Sequence, residues 1–474
     1  MKKGTSAFAL FFGNRSFFPS SLMAEAREDL SQVFKKMGHE ILMMPTDATR
    51  YGAVETAKEG HIYAKWLEEH KGKFDGIILC LPNFGDETGA VVALKDAGVP
   101  IFVQAYPDEA DKMSPASRRD AFCGKFSITD VLCQYNVPFT AIPPHAVAPS
   151  SPQFKENIDY FDRVCRVVSG LKGMTVGAIG ARTTAFKTVR IDELALQSHG
   201  ITTEVFDMSD VFARMRAVSP GKVYKAKADQ LKKISSWKDV PQKNFDNIVK
   251  LWVVLGDLIE EYQLDALALR CWIELQKEME IAACGLIGLM NDVDRPIACE
   301  MDIGNAIAMY AISLASGKPA GVLDWNNNYN NDDNKCILFH CGSMPPSMMV
   351  EKGKIVDNIF LAKVVGKNHS LGCNIGRIAP TDMTFGSLTT KCGRIKCYLG
   401  EGAFTDDPIS KDFFGCAGVA EIPNLQKVLL HVAYNGHRHH VSVTSGHCKD
   451  AVAEAMTRYL GFEVAIPQES RGCL

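Results

Sequence analysis

The chain has 474 residues, 46% of them hydrophobic and 23% charged, with a formal net charge of −3. That length accommodates two or three domains at roughly 150 residues each. The near-neutral balance excludes charge-driven binding to nucleic acid or to an anionic membrane surface.

At the start, "MKKGTSAFALFFGNRSFF" sets Lys2 and Lys3 before an apolar run that Asn14 and Arg15 interrupt, so a first strand is expected rather than a leader. No apolar segment reaches the ~20 residues a bilayer span requires. The fifteen cysteines form no CxxC pair and no repeated spacing. Reduced, buried thiols and a cytoplasmic location are the expectation.

The first third alternates short apolar runs with helical stretches. Ser6–Gly13, His39–Pro45, Asp75–Pro82 and Pro100–Pro107 read as strands, and 22–37, 55–70 and 87–97 as helices. Such alternation predicts βαβ units and a parallel sheet covered by helices. No G-x-G-x-x-G follows the first strand, which disfavours a dinucleotide site. A Pro- and Ser-rich stretch at 143–154 precedes a long helix at 158–171. A second alternating series then places strands at 174–181, 202–208, 265–272 and 295–302.

From about Gly317 the pattern turns to strands. "AGVLDWNN", "KCILFHCG", "DNIFLAKVVG" and "NLQKVLLHVAYNG" all read as strands, followed by a helix at 449–460 and the strand "FEVAI". The expected class is α/β: two Rossmann- or flavodoxin-like α/β domains at 1–172 and 173–317, followed by a β-rich domain at 318–474.

Two carboxylates close apolar strands, Glu300 in "PIACEMDIGNA" and Asp324 in "GVLDWNNN". A charge at the end of a buried strand needs a partner or a metal, and ligands gather at the carboxyl ends of α/β strands. Each also has a plain structural reading: Glu300 as a helix-capping carboxylate, Asp324 as a turn residue beside the asparagines. Asp302 competes with Glu300 for the metal role and is the more natural cap. Four histidines crowd "HRHHVSVTSGH". By period-2 alternation His440 shares the face of Ser442 and Thr444, and His439 that of Val441 and Val443. His439 is therefore expected to pack toward the core, with His437 and His447 in supporting or capping roles.

These segments resemble the L-fucose isomerase and L-arabinose isomerase superfamily. "ACEMDIGNA" is similar to the segment bearing that family's catalytic glutamate. "VLDWNN" is similar to the one bearing its partner aspartate, at the spacing fucose isomerases show, and "HHVSVTSGH" to its C-terminal histidine stretch. The resemblance implies a metal-dependent aldose–ketose isomerase of three domains. Glu300, Asp324 and His440 become metal ligands, and the two carboxylates also become proton-transfer groups. Mn²⁺ is the first choice for two carboxylates and an imidazole, with Co²⁺ or Mg²⁺ as alternatives.

His340 would answer to the additional histidine of arabinose isomerases. Arg15, Lys187, Arg190, Arg270, Trp272, Asn326, Asn327 and His340 are the residues expected to contact a sugar. The cations among them suit an anionic sugar such as sulfoquinovose; L-fucose and L- or D-arabinose are the alternatives. The family also implies a homo-oligomer, a trimer or hexamer, with sugar bound near a protomer interface. A cytoplasmic sugar-binding sensor is the competing class.

Overall fold

A computed structural model of the chain describes residues 4–293 and 295–469. It divides into two compact units. One runs up to Ser169 and takes in Glu454–Leu460; the other comprises Gly170–Ala453 and the chain from Gly461.

In the first unit, strands β1 (Phe8–Phe12), β2 (Ile41–Met43), β3 (Gly76–Leu81) and β4 (Ile101–Ala105) form a parallel sheet in the order β2-β1-β3-β4. Every residue of β1, β3 and β4 is buried, as expected of a parallel sheet with helices on both faces. Two apolar clusters fill those faces, one around Phe11, Tyr63 and Ile77, the other around Phe8, Phe34 and Phe161. The C-terminal turn at 454–460 is tied in by polar contacts. Thr140 and Tyr160 donate to Glu454 at 2.7 and 2.6 Å, and Thr140 and Tyr459 share a hydrogen bond of 2.9 Å.

The second unit repeats the arrangement and adds a larger sheet. Strands β5 (Thr175–Ile179), β6 (Thr202–Phe206), β7 (Ala266–Leu269) and β8 (Ile297–Cys299) run parallel in the order β6-β5-β7-β8. The remaining strands are β9 (Ala320–Asn328), β10 (Lys335–His340), β11 (Lys354–Asp357), β12 (Leu371–Arg377), β13 (Thr381–Lys391), β14 (Arg394–Phe404), β15 (Cys416–Glu421), β16 (His440–Ser445) and β17 (Glu463–Ala465). They form one nine-stranded, largely antiparallel sheet in the order β11-β12-β15-β10-β9-β16-β13-β14-β17. The helix Ile303–Ser316 is buried from Ile303 to Ala315 and packs against β7 and β8 on one side and β9, β13 and β16 on the other. A helix covered all round needs apolar or small residues on every face, which "IGNAIAMYAISLA" supplies.

Two expected strands are otherwise. Leu425–Asn435 is a helix: Leu425 and Val428 are buried one turn apart, and Gly436 ends it at φ 69° in the left-handed conformation a helix stop favours. In "DNIFLAKVVG", β11 ends at Asp357 and a short helix occupies Ala362–Val365. There Asn358 accepts from the amides of Phe360 and Leu361, a side-chain-to-backbone turn that competes with strand pairing. Among the described residues no helix is long and apolar enough to cross a membrane.

Candidate metal centre

The ends of β8, β10 and β16 converge on the middle of β9. Asp324, expected to close its strand, is the fifth of nine residues because pairing with β10 carries the strand on to Asn328. β8 stops at Cys299, and the next two residues turn sharply: Glu300 and Met301 hold φ values of 64° and 63°. For non-glycine residues this left-handed conformation costs ~1–2 kcal/mol each, and it is held by the rest of the turn. The amide of Met301 donates to the Leu269 carbonyl at 3.2 Å and that of Asp302 to the Cys299 carbonyl at 3.1 Å. Asp324 and His440 come from β9 and β16, which pair antiparallel with these two residues directly opposite each other. His340 ends β10, on the other side of β9.

The side chains meet around His440, which has no solvent exposure. Its Nε2 lies 3.1 Å from Glu300 Oε2 and 3.5 Å from Asp324 Oδ1. Its Nδ1–H donates to Asp302 Oδ2 at 2.8 Å. Ligand atoms of Glu300, His340 and His440 all lie within 4.8 Å of one another, as do those of Asp324, His439 and His440. Trp272 Nε1 donates to Glu300 Oε1 at 3.2 Å. The Phe186 ring packs against Trp272, His439 and His440, with centroids 5.6, 5.5 and 6.0 Å away.

The field in this pocket favours positive charge. Burial disfavours a charged His440, but hydrogen bonds to Asp302 and Glu300 outweigh it and push its pKa up to about 10. Burial also opposes ionisation of Asp302, yet Arg438 and His440 hold that carboxyl well below the usual carboxylate range. Glu300 is lowered as well: its burial is outweighed by the His440 hydrogen bond and by the nearby histidines. Asp324 Oδ1 is buried without a hydrogen-bond partner. An acceptor left in that state has a cost that a cation would remove.

The donor set fits a hard or borderline divalent cation. Glu300, Asp324 and His440 offer two carboxylates and an imidazole, with His340 and His439 as further nitrogen donors. The carboxylate of Asp302 behind the imidazole is the arrangement that orients metal-binding histidines.

Other expected residues fall elsewhere. Arg15 belongs to the first unit, where it bonds Glu87 and the Gly85 carbonyl. Arg270 is engaged by Glu274 and by the Ala181 carbonyl. Lys187 and Arg190 are exposed on the loop that carries Phe186. Asn326 and Asn327, beyond Asp324 on β9, are exposed and bonded to each other.

His439 does not pack toward the core. Its side chain is 42% exposed and lies 3.6 Å from Asp324, whereas His440 is the inward residue. Both faces of β16 are covered, so the Ser442 and Thr444 face is not a solvent face, and His439 precedes the strand's first residue. Two residues were not anticipated, Arg438 and Phe186. Arg438 had a signal: it shares the period-2 face of His440, Ser442 and Thr444.

Comparison with known proteins agrees with this architecture at both ends of the chain. Residues 9–172 match the fucose/sulfoquinovose isomerase N-terminal domain. Residues 338–467 match the L-fucose isomerase C-terminal domain. The chain belongs to the L-fucose isomerase-like superfamily. As a member it is an aldose–ketose sugar isomerase.

The sulfoquinovose isomerase of Alkalicoccus urumqiensis is 21% identical over 314 residues, covering 66% of this chain and 70% of that protein. The sulfoquinovose isomerase of Priestia aryabhattai is 20% identical over 404 residues, 85% and 87% of the two chains. That of Clostridium sp. (strain MSTE9) is 22% identical over 305 residues, 64% and 67%. A solved D-lactate dehydrogenase from Escherichia coli, with a TM-score of 0.16 and 9% identity over 66% of this chain and 98% of that one, carries no argument. Glu300 and Asp324 lie between the two matched superfamily domains, and His340 and His440 lie inside the second.

Proposed function

We propose that this superfamily member is a divalent-metal-dependent isomerase of a sulfonated aldose, interconverting sulfoquinovose and its ketose. The observation that supports it most is the convergence of Glu300, Asp324 and His440 on one buried point, with Asp324 Oδ1 lacking any hydrogen-bond donor. Glu300, Asp324 and His440 would hold the metal, Mn²⁺ first, with Co²⁺ or Mg²⁺ as alternatives. When bound, such a cation supplies the positive charge that polarises a sugar carbonyl and stabilises a developing oxyanion.

The chain's own groups do the rest. Isomerisation moves a proton between C2 and C1 while the carbonyl moves the other way, through an enediol. Glu300 and Asp324 are the groups that take and return that proton. Trp272 holds one oxygen of Glu300 and so fixes the carboxylate with its other oxygen toward His440. Phe186 excludes water from that side, strengthening each charge interaction inside.

The sulfonated substrate is favoured by the names of the relatives and by unclaimed positive charge. Arg270 already serves Glu274, whereas the side chains of Lys187 and Arg190 stand exposed on the Phe186 loop. Arg and Lys both complement a sulfonate. L-Fucose and L- or D-arabinose are the other sugars to test. The same reading takes the enzyme as a cytoplasmic homo-oligomer of three-domain protomers.

The test is to incubate the Mn²⁺-loaded protein with each of these aldoses in D₂O and follow ketose formation by NMR. Sulfoquinovose should be converted fastest, with deuterium entering the product. Faster conversion of an unsulfonated sugar would overturn the substrate assignment. Binding of sulfoquinovose without its conversion would overturn it as well.

A further inference from the structure

Arg438 is one of the largest fully buried side chains of the protein. It sits in space left by a glycine: a methyl group on Gly304, in the first turn of the helix Ile303–Ser316, would lie 2.7 Å from the guanidinium and 2.2 Å from the Leu388 carbonyl. The guanidinium donates to Asp302 Oδ1, to Thr389 Oγ1 at 3.0 Å and to the Arg190 carbonyl at 3.3 Å.

Asp302 is fully occupied by its neighbours. Oδ1 accepts from Arg438 and from the Asn305 amide at 3.0 Å; Oδ2 accepts from Asn305 Nδ2 at 2.7 Å and His440 Nδ1 at 2.8 Å. With four donors on two oxygens and no exposure, it has no lone pair to offer a cation. Its remaining effect is on the imidazole. A carboxylate fixed against Nδ1–H holds the ring's orientation, so that Nε2, which would give up its proton to a bound cation, faces Glu300 and Asp324.

We infer that Arg438 is a positioning residue. It clamps Asp302 so that His440 presents Nε2 to the metal, and through the Arg190 carbonyl it ties the Phe186 loop to the same clamp. The inference rests on the metal-site reading above. Removing Arg438 frees Asp302 to rotate away from the imidazole, while the three proposed ligands stay in the chain.

The test measures Mn²⁺ affinity by calorimetry for wild type, Glu300→Gln, Asp302→Asn, Arg438→Gln and Arg438→Lys, each checked for folding by circular dichroism. It adds the ¹H–¹⁵N signal of the His440 Nδ1–H in the metal-free protein, which reports its hydrogen bond to Asp302 whether the ring is neutral or cationic. Weaker Mn²⁺ binding in Glu300→Gln supports the metal site itself. Asp302→Asn and Arg438→Gln should then bind Mn²⁺ about 10–100-fold more weakly, the range for partners behind a ligand. They should also broaden or lose that Nδ1–H signal, and Arg438→Lys should recover part of both.

Wild-type affinity and a wild-type His440 Nδ1–H signal in Arg438→Gln overturn the inference, whatever Glu300→Gln does. Unchanged Mn²⁺ binding in Glu300→Gln overturns the site reading, and the metal-free Nδ1–H signal then decides the Arg438 inference alone. Should Arg438→Gln not fold, Thr389→Val loosens the same clamp. It should broaden the Nδ1–H signal in the same way, and an unchanged signal overturns the inference.

Discussion

The two parallel sheets are built alike and end differently. Both have four strands in the same doubly wound order, with the later pair of strands added on one side of the first. At the carboxyl ends of β1 and β3, the first sheet has Asn14 and Asn83, which bond to each other at 2.7 Å with almost no exposure. Both are neutral amides, and their remaining groups are met locally: Asn14 Nδ2 donates to Glu55 Oε2 at 3.3 Å and Asn83 Oδ1 accepts from the Gly85 amide at 3.1 Å. At the end of β8, the second sheet has Glu300, a carboxylate in a left-handed turn, facing a histidine and an aspartate from the neighbouring antiparallel sheet. Among the described residues, both groups of ligand atoms close enough to hold an ion belong to this second region. One layer order thus supports a self-satisfied strand end and a charge-bearing one, and chemistry follows the side chains at the strand ends rather than the fold.

Removing the charge at the end of β8 should break this contrast most. Glu300→Gln is expected to lower kcat by about 10²–10⁴-fold, the usual contribution of a positioned acid or base. Steady-state assays at saturating Mn²⁺ check it.

The two units should also differ in their response to pH. In the second unit, burial and the adjacent His431 bring the pKa of His437 down to about 4. The unfolded chain then binds the proton first, so stability is undiminished above pH ~6.5 and falls as pH drops from there toward 4, by up to about 3 kcal/mol. In the first unit, burial brings Lys125 down to about 8. Its penalty is in full force below pH 8 and is relieved as pH rises toward ~10.4, by a similar amount. Denaturation curves of His437→Phe and Lys125→Met should each lose one of these slopes and keep the other.

Asn83→Ala tests the quiet strand end. It leaves the Asn14 oxygen and the Gly85 amide without their partner and should destabilise the first unit by ~1–3 kcal/mol, with Mn²⁺ affinity unchanged by calorimetry. The smallest effect is expected from Trp272→Phe, which removes one hydrogen bond to Glu300. A loss of ~1–2 kcal/mol in kcat/KM would show in the same steady-state assays.

Much of this contrast was legible in the residues. Buried parallel strands read as apolar runs between turn residues, so the strands of both α/β sheets are visible in the sequence. Glu300 and Asp324 stood out because each closes such a run with a charge.

Elsewhere the pattern is easily misread. Leu425, Val428, Leu429 and Val432 recur at helical spacing and join one core cluster, yet the run is apolar enough to pass for a strand. Likewise, Ser442 and Thr444 mark a polar face of β16 that is nonetheless fully covered and satisfied by Asn305 and the Pro319 carbonyl. The Arg438–Asp302 pair spans 136 positions in sequence, a separation that no local pattern reports.

We propose that the Glu300, Asp324 and His440 cluster moves the C2 proton of a sulfonated aldose. The most direct measurement is exchange of that proton with D₂O, followed by NMR on sulfoquinovose with Mn²⁺-loaded wild type and Glu300→Gln. Exchange and ketose formation are expected with wild type, and both at least about 10²-fold slower with Glu300→Gln. Equal exchange by the two proteins would contradict it.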